Sequence, residues 1–268
     1  MNQEDPYAPI AEWYDLEHDE VVDDLECYTG LLGSHSSGRG RVLEIGSGTG
    51  RIVAALASSG YIVTGVEPSA AMRRRAELRV SQLPERVARR VHLVAGEAVD
   101  LGDAANMTYD AVVYGLNTFA HLTNQTERRR ALATVADCLV RGGLLLLDLD
   151  LAGPRRLLRS AGQQYRMGRW RSRESGGLVS HLVSGTPGPE AGTLLVTHLY
   201  DVSLPGHEPR RTTTHMLLAL LSVGDLELEV QSAGFSVLAV YGGFDLSPYD
   251  DLSSRAILLA RLPGPQGS

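Results

Sequence analysis

Glu44-Ile45-Gly46-Ser47-Gly48-Thr49-Gly50 places three glycines at alternate positions behind an acid, immediately after an apolar run that begins at Val42. Glycines so spaced let the backbone of a strand-to-helix turn come close to a ligand, as nucleotide sites in open α/β sheets require. The spacing is GxGxG, which departs from the dinucleotide fingerprint GxGxxG and lacks the Gly-Lys-Ser/Thr ending of a phosphate-binding loop. A second acid, Glu67, lies seventeen residues beyond Gly50, followed by Pro68 at the end of another apolar run. A carboxylate there can accept two hydrogen bonds from vicinal ribose hydroxyls. Gly96-Glu97-Ala98 and Gly115-Leu116-Asn117 follow two further runs. All four places fall where consecutive parallel strands would end, which is the ligand-binding edge of such sheets.

The elements that must hold these residues alternate along the chain. Residues 41–45, 61–66, 91–95, 109–114 and 144–149 read as strands, with helices over 51–59, from Ser69 to about 83, and over about 125–140. The crossover over 97–108 is short and holds at most a turn of helix. This alternation predicts an α/β fold, a doubly wound and mostly parallel sheet. After Pro154 the texture changes to β-rich runs at 166–172, 178–184, 193–204 and 210–221, broken by Gly and Pro. They predict an inserted antiparallel sheet, after which Ser222 caps a helix and 235–241 and 255–261 complete the main sheet. The expected organisation is an N-terminal helical cap over 1–40 with its helix at 19–32, a core over 41–153 and 222–262, the insert over 154–221, and a frayed tail over 263–268.

Composition narrows the chemistry. The chain has 268 residues, 43% apolar and 21% charged, with a formal charge of −7 and dispersed arginines, so no nucleic-acid footprint is expected. It contains no lysine, which excludes a lysine Schiff base and ordinary pyridoxal or aldolase chemistry. Cys27 and Cys138 stand far apart with no CxxC or nearby histidine, and no acid or histidine cluster has ligand spacing, so neither a disulfide framework nor a metal is expected. The first ten residues carry acids and prolines rather than a signal peptide, and no apolar run approaches the ~20 residues that span a bilayer. A cytoplasmic enzyme is expected.

Residues 42–50, 63–67, 96–97 and 110–122 together resemble class I S-adenosylmethionine (SAM) dependent methyltransferases, over roughly 40–150 and 222–262. The stretch from Gly115 to Leu122 is similar to the segment after strand four in glycine N-methyltransferases and amino-sugar N-methyltransferases, and the insert is similar to theirs. The resemblance implies a seven-stranded Rossmann-like methyltransferase sheet with SAM as cofactor. It implies that the loop of Glu44, Gly46, Ser47, Gly48 and Gly50 faces the methionine half of SAM, that Glu67 with Pro68 holds the ribose, and that Glu97 with the Ala98 amide reads the adenine edge. The family more often has aspartate at the Glu97 position. The backbone of Leu116 and Asn117 corresponds to the part that holds the methionine moiety, and Tyr14 to the aromatic of a segment closing over SAM. His121 corresponds to a histidine beside the transferred methyl.

Structural readings stand beside each of these. The glycines alone could make a tight turn, Glu67 could be a solvated strand-end acid, Glu97 a helix-capping acid and Tyr14 a packing tyrosine. His121 has the pKa of a general base but could equally orient or pack. His181, His198 and His215 lie on insert strands and read as structural or substrate-shaping, and the triplets Arg73–Arg75 and Arg128–Arg130 as solvated helix faces.

Methyl transfer is an in-line displacement at an already activated carbon, so the protein would mainly supply proximity, alignment and a dry pocket. The expected function is SAM-dependent N- or O-methylation of a small natural-product intermediate, an amino sugar or amino-acid-like amine ahead of a hydroxyl. Two alternatives remain open: the same scaffold running a non-methylating reaction such as cyclisation, and a non-catalytic SAM-binding module. Residues 194, 196, 198, 200 and 202 on one insert strand, and 216, 218 and 220 on its neighbour, would share an apolar face. Part of that layer is expected to close over the core strands and part to form a homodimer.

Overall fold

The computed structural model describes residues 5–35, 39–160, 162–172 and 175–264. Residues 36–38 of the expected N-terminal cap, the first four residues and most of the expected tail (265–268) lie outside the described residues.

Two sheets organise the chain. The main sheet contains β1 (Arg41–Ile45), β2 (Ile62–Glu67), β3 (Val91–Ala95), β4 (Tyr109–Tyr114), β5 (Leu139–Asp150), β10 (Ser236–Tyr241) and β11 (Arg255–Arg261), in the order β10-β11-β5-β4-β1-β2-β3. The first five strands are parallel, and β11 runs antiparallel to both β5 and β10. Helices α1 (Ala11–His18), α2 (Asp23–His35), α3 (Arg51–Ser58), α4 (Ala70–Ser81), the short α5 (Glu85–Ala88), α6 (Gln125–Cys138), α7 (Ala152–Arg159) and α8 (Val223–Ser232) complete the α/β part, with 3-10 turns at Gly102–Asn106 and Thr118–His121. A separate antiparallel sheet holds β6 (Tyr165–Arg171), β7 (Leu178–Pro187), β8 (Thr193–Ser203) and β9 (Arg210–Ala219) in sequence order. The fold is therefore the expected doubly wound, mostly parallel α/β sheet carrying an antiparallel insert. Among the described residues no helix is long and apolar enough to cross a membrane.

The period of two along each strand explains why the core strands are nearly all apolar. Leu43, Ile45, Val112, Tyr114, Leu145, Leu147 and Leu258 point to one face, where they meet Leu132 and Val135 of α6 and Leu226 and Val230 of α8. Val42, Val113, Leu144, Leu146, Ile257 and Leu259 point to the other, against Leu31 of α2 and Ile52, Val53 and Leu56 of α3. With both faces covered, neither can alternate with polar residues. Truncating one of these leucines to alanine costs about 2–5 kcal/mol.

Several elements differ from the sequence reading, each for a local reason. The helix expected over 19–32 is α2, at 23–35, and a further helix, α1, precedes it outside the expected range, with residues 19–22 between them. Helix α1 has no side-chain cap; it is fixed instead by tertiary bonds, from Thr49 Oγ1 to Asp15 at 2.5 Å and from Arg79 to Asp15 and Asp19 at 2.9 and 2.7 Å. Helix α7 begins where Gly153-Pro154 reads as a break. Proline is tolerated in the first turn, where its missing N–H has no intrahelical acceptor, and the Asp150 carboxylate accepts the amides of Ala152 and Gly153, each at 3.1 Å. Strand β5 runs back through Gly142-Gly143 to Leu139, with Gly142 at φ +84° and its amide bonded to the Leu262 carbonyl. Arg128 is not on a solvated face. It is 8% exposed and forms a forked bond to Glu229 of α8 at 2.8–3.1 Å, and Arg73 bonds the carbonyls of Glu67 and Pro68.

Candidate active site

The strand order reverses between β1 and β4, and the carboxyl ends of β1, β2 and β4 line up there, with Ile45 paired to Val66 and Glu44 to Val113. This is the switch point at which open α/β sheets leave a crevice. The loop after β1 enters it with Gly46, Gly48 and Gly50 all in the left-handed region, at φ +70°, +55° and +77°. A Cβ on Gly46 would lie 2.4 Å from Thr118 Cγ2, so only glycine lets the β1 and β4 loops meet. The amides of Gly46 and Ser47 bond to the Val66 carbonyl at 2.8 and 3.0 Å. Glu67 completes the cradle: its Oε2 accepts the Gly48 amide and its Oε1 the Ser69 amide, both at 2.9 Å. Burial pushes the Glu67 carboxyl up, while those two amides and Arg73 pull it down.

Beneath this loop lie polar atoms that lack partners among the described residues, Glu44 Oε2 and Ser47 Oγ. Burial pushes the Glu44 carboxyl well above the usual range, against the nearby Arg51. The Ser47 hydroxyl is packed over the bare Cα of Gly65 on β2, so the side of Ser47 available to a ligand is its backbone. Glu97 leaves β3 just beyond the Glu67–Ala95 pair, exposed, in a tight turn closed by bonds between its own backbone and that of Asp100. Pro68 is exposed beside Glu67, and Ala98 is half-buried.

The loop after β4 is built under strain. Leu116 and Asn117 adopt φ +45° and +68°, a left-handed backbone that costs non-glycine residues roughly 1–2 kcal/mol each. Fully buried Asp148 holds them: its carboxylate accepts the Leu116 amide at 3.2 Å and its carbonyl the Asn117 amide at 3.0 Å. The same carboxylate accepts the Tyr28 hydroxyl and Arg255 Nη1 at 2.6 Å. Burial pushes Asp148 up, opposed by Arg255 and Tyr28. Asn117 Oδ1 accepts the Asp150 amide at 3.2 Å and fixes the far side of the loop.

A cavity of about 230 Å³ opens directly above this loop. Leu116, Asn117, His121 and Asp150 line it from the core, Tyr7, Tyr14 and Glu17 from the N-terminal segment, and His181, Val196, His198, Tyr200, Met216 and Leu218 from the insert. Residues 194, 196, 198 and 200 do share one face, directed inward, while Val202 of the same strand joins Ile10, Val179 and Met216 under the N-terminal segment. The Tyr7 hydroxyl and His121 Nε2 are hydrogen bonded at 2.9 Å, and the surrounding protein lowers the His121 pKa although its ring opens onto the cavity. Tyr14 stacks on His18 at 4.2 Å. A larger groove of about 420 Å³ lies between α6, α8 and the insert; it contains none of the strand-end residues and offers no comparable chemistry. Among the described residues no group of three or more His, Cys, Asp or Glu side chains is placed to hold a metal.

Residues 43–145 match a family model described as a methyltransferase domain. That part of the chain is similar to a methyltransferase domain. An uncharacterized methyltransferase of Bacillus licheniformis is 38% identical over 133 residues, covering 49% of this chain and 56% of that protein. Glycine N-methyltransferase of Oryctolagus cuniculus is 36% identical over 135 residues, 44% of this chain and 43% of that one. The chain thus spans about half the length of the curated relatives it matches. A SAM-bound amino pentose methyltransferase of Micromonospora echinaspora, involved in calicheamicin biosynthesis, superposes with a TM-score of 0.67 at 22% identity, covering 90% of both chains.

The residues singled out by spacing gather at the carboxyl ends of the core strands, with Glu97 and Ala98 at the outer rim. Several others escape sequence reasoning. Asp148 and Asp150 are signalled by acids interrupting the run Leu144–Leu149, an unlikely place for charge unless it is used. Tyr7, Glu17 and Tyr28 carry no spacing signal, because their partners stand 114, 164 and 120 residues away.

Proposed function

We propose that this protein is a SAM-dependent methyltransferase that methylates a nitrogen or oxygen of a small natural-product intermediate, with an amine on a sugar or amino-acid-like skeleton as the preferred acceptor. The observation that carries the reading is the place of the loop after β4: Thr118 packs against Gly46 of the glycine loop, while the adjoining Leu116 and Asn117 line the cavity bounded by His121 and the insert. The amino pentose and glycine enzymes among its relatives support an amine acceptor.

The residues fit the cofactor on this chain's own features. The left-handed glycines let the β1 loop pack closely against Thr118 and Ala76, which Cβ atoms on Gly46 and Gly50 would crowd, and Glu44 Oε2, buried beneath it, has no partner among the described residues. In this reading the glycine loop and the backbone of Leu116 and Asn117 hold the methionine half. Each oxygen of Glu67 accepts one backbone amide and keeps a lone pair for a ribose hydroxyl, beside Pro68. Glu97 and the Ala98 amide meet the adenine, and Tyr14 covers the cofactor from α1. When bound, SAM supplies a methyl group on a cationic sulfur. His121, held by Tyr7, meets the acceptor as base or orienting group, and the insert excludes water.

We also read the protein as cytoplasmic and as a homodimer through the outer insert face, where Leu182 pairs with Leu199 and Leu195 with Leu217 across strands. Sedimentation at micromolar concentration should give a dimer; a strict monomer removes that assignment. The functional test is S-adenosylhomocysteine release with glycine and D-glucosamine as amine probes. Release supports methyl transfer, whereas conversion of a probe without release supports the non-methylating alternative.

A further inference from the structure

We propose that Glu17, His181 and His198 form a proton relay on the insert side of the cavity, in which His198 takes the acceptor's proton while His181 and Glu17 position it. The proposal rests on the methyltransferase reading above and supplies it with a base on the opposite wall of the cavity from His121.

The three side chains come together from α1, β7 and β8. His181 faces Tyr200 across the β7–β8 ladder, so His198, two residues before Tyr200, lies diagonally beside it on the same inward face. His181 is 3% exposed and its ring stacks on Tyr200 at 4.1 Å with the planes 8° apart. Its Nδ1 lies 2.7 Å from Glu17 Oε2 and its Nε2 lies 3.0 Å from His198 Nδ1. No described residue hydrogen bonds to His198 Nε2, and His198 lines the cavity that holds Asn117 and His121.

Hydrogen-bond polarity then fixes the tautomers. Burial pushes Glu17 up, but the bond to His181 and the neighbouring histidines hold the carboxyl below its ordinary range. An ionised carboxylate only accepts, so Nδ1 of His181 donates. The relay takes His181 in its neutral form, so that its Nε2 carries a lone pair into which Nδ1 of His198 donates. That leaves the lone pair of neutral His198 at Nε2, on the cavity side of the chain. Burial lowers His198 to about 4, so it is uncharged near neutral pH. His121 differs, because its Nε2 is already engaged by the Tyr7 hydroxyl.

The step is a proton transfer. One N–H or O–H bond of the acceptor breaks, its electron pair stays on the acceptor atom, and the proton bonds to Nε2 of His198. The Nδ1 proton of His198 moves to Nε2 of His181, and the positive charge comes to rest on His181 against the Glu17 carboxylate.

The test uses the full chain with ¹⁵N-labelled histidine, read by long-range ¹H–¹⁵N correlation at pH 7. The relay predicts neutral His181 and His198, each protonated on Nδ1, with Glu17→Gln converting both to mixed tautomers. A His198 that is protonated on Nε2, or that keeps its tautomer in Glu17→Gln, overturns it. A kinetic arm uses glycine and D-glucosamine as probes, with calorimetric SAM affinity measured alongside. If either probe is methylated, His198→Gln should lower kcat on the order of 10²-fold and Glu17→Gln roughly 10-fold, with SAM affinity unchanged. A kcat within about three-fold of wild type in His198→Gln also overturns the relay. Failure of the wild-type protein to bind SAM would instead defeat the methyltransferase reading, and the tautomers would still decide the relay.

Discussion

The two walls of the site are made of different material. The strand-end wall is largely backbone: glycine φ angles, amides bonded to Glu67 and Val66, and a left-handed turn at Leu116–Asn117. The insert-side wall is largely side chain, with Tyr7, Glu17, His181 and His198 contributed by segments far apart in the chain. Backbone geometry demands particular residues at particular spacings, so it leaves a local trace in the sequence. A side-chain wall needs only that partners meet in space. The strand-end wall is thus legible in the sequence, while the insert-side wall leaves little local trace.

Substitutions can sharpen this contrast. The largest effect is expected at Asp148, which braces the strand-end wall with Tyr28, Arg255 and the Leu116 amide. Removing one partner from a buried ion pair leaves the other charge unpaired, so Asp148→Ala should lose about 3–5 kcal/mol in urea unfolding and weaken SAM binding as well. Loss of under about 1 kcal/mol would show that the loop is held by something else. Gly46→Ala comes next, since it combines a left-handed backbone with a Cβ contact of 2.4 Å to Thr118. It should cost about 2–3 kcal/mol of stability and reduce SAM affinity at least tenfold by calorimetry; normal affinity would disconnect the glycine loop from the cofactor.

On the insert-side wall the expected effects are smaller and concern protons. Folding lowers His198 to about 4, below the ordinary value near 6.5 of the unfolded chain. The unfolded state therefore takes up the proton first as pH falls. The stabilising contribution is complete above about pH 6.5 and is lost as pH falls through about 4. Comparing pH 7.5 with pH 4.5, the wild type should lose up to about 2 kcal/mol more than His198→Gln; equal losses would mean that His198 titrates normally. His121→Ala should leave SAM affinity within about two-fold and lower turnover of an amine probe by roughly tenfold, the effect of a lost orienting bond. A fall of 10³-fold or more would make His121 the base.

The division between backbone and side chain also explains what the sequence revealed. The strands β1 to β4, the Ser69 and Ser222 caps and the insert strands follow from apolar period and turn chemistry. Helix α1 does not, because its segment has little amphipathic character and is made helical by Asp15 and Asp19 reaching Thr49 and Arg79. Helix α7 is hidden by Gly153-Pro154, whose breaking effect disappears in a first turn capped by Asp150. Glu17 and His181 could not be paired in advance, since their meeting depends on how the insert folds back over α1.

The central claim is that the crevice closed by Glu67 binds SAM, and isothermal calorimetry of SAM against the wild type and Glu67→Ala tests it most directly. The account predicts saturable one-to-one binding to the wild type and a loss of about 1–3 kcal/mol in the variant, from hydrogen bonds to the ribose hydroxyls. Equal affinity in the two proteins would contradict it.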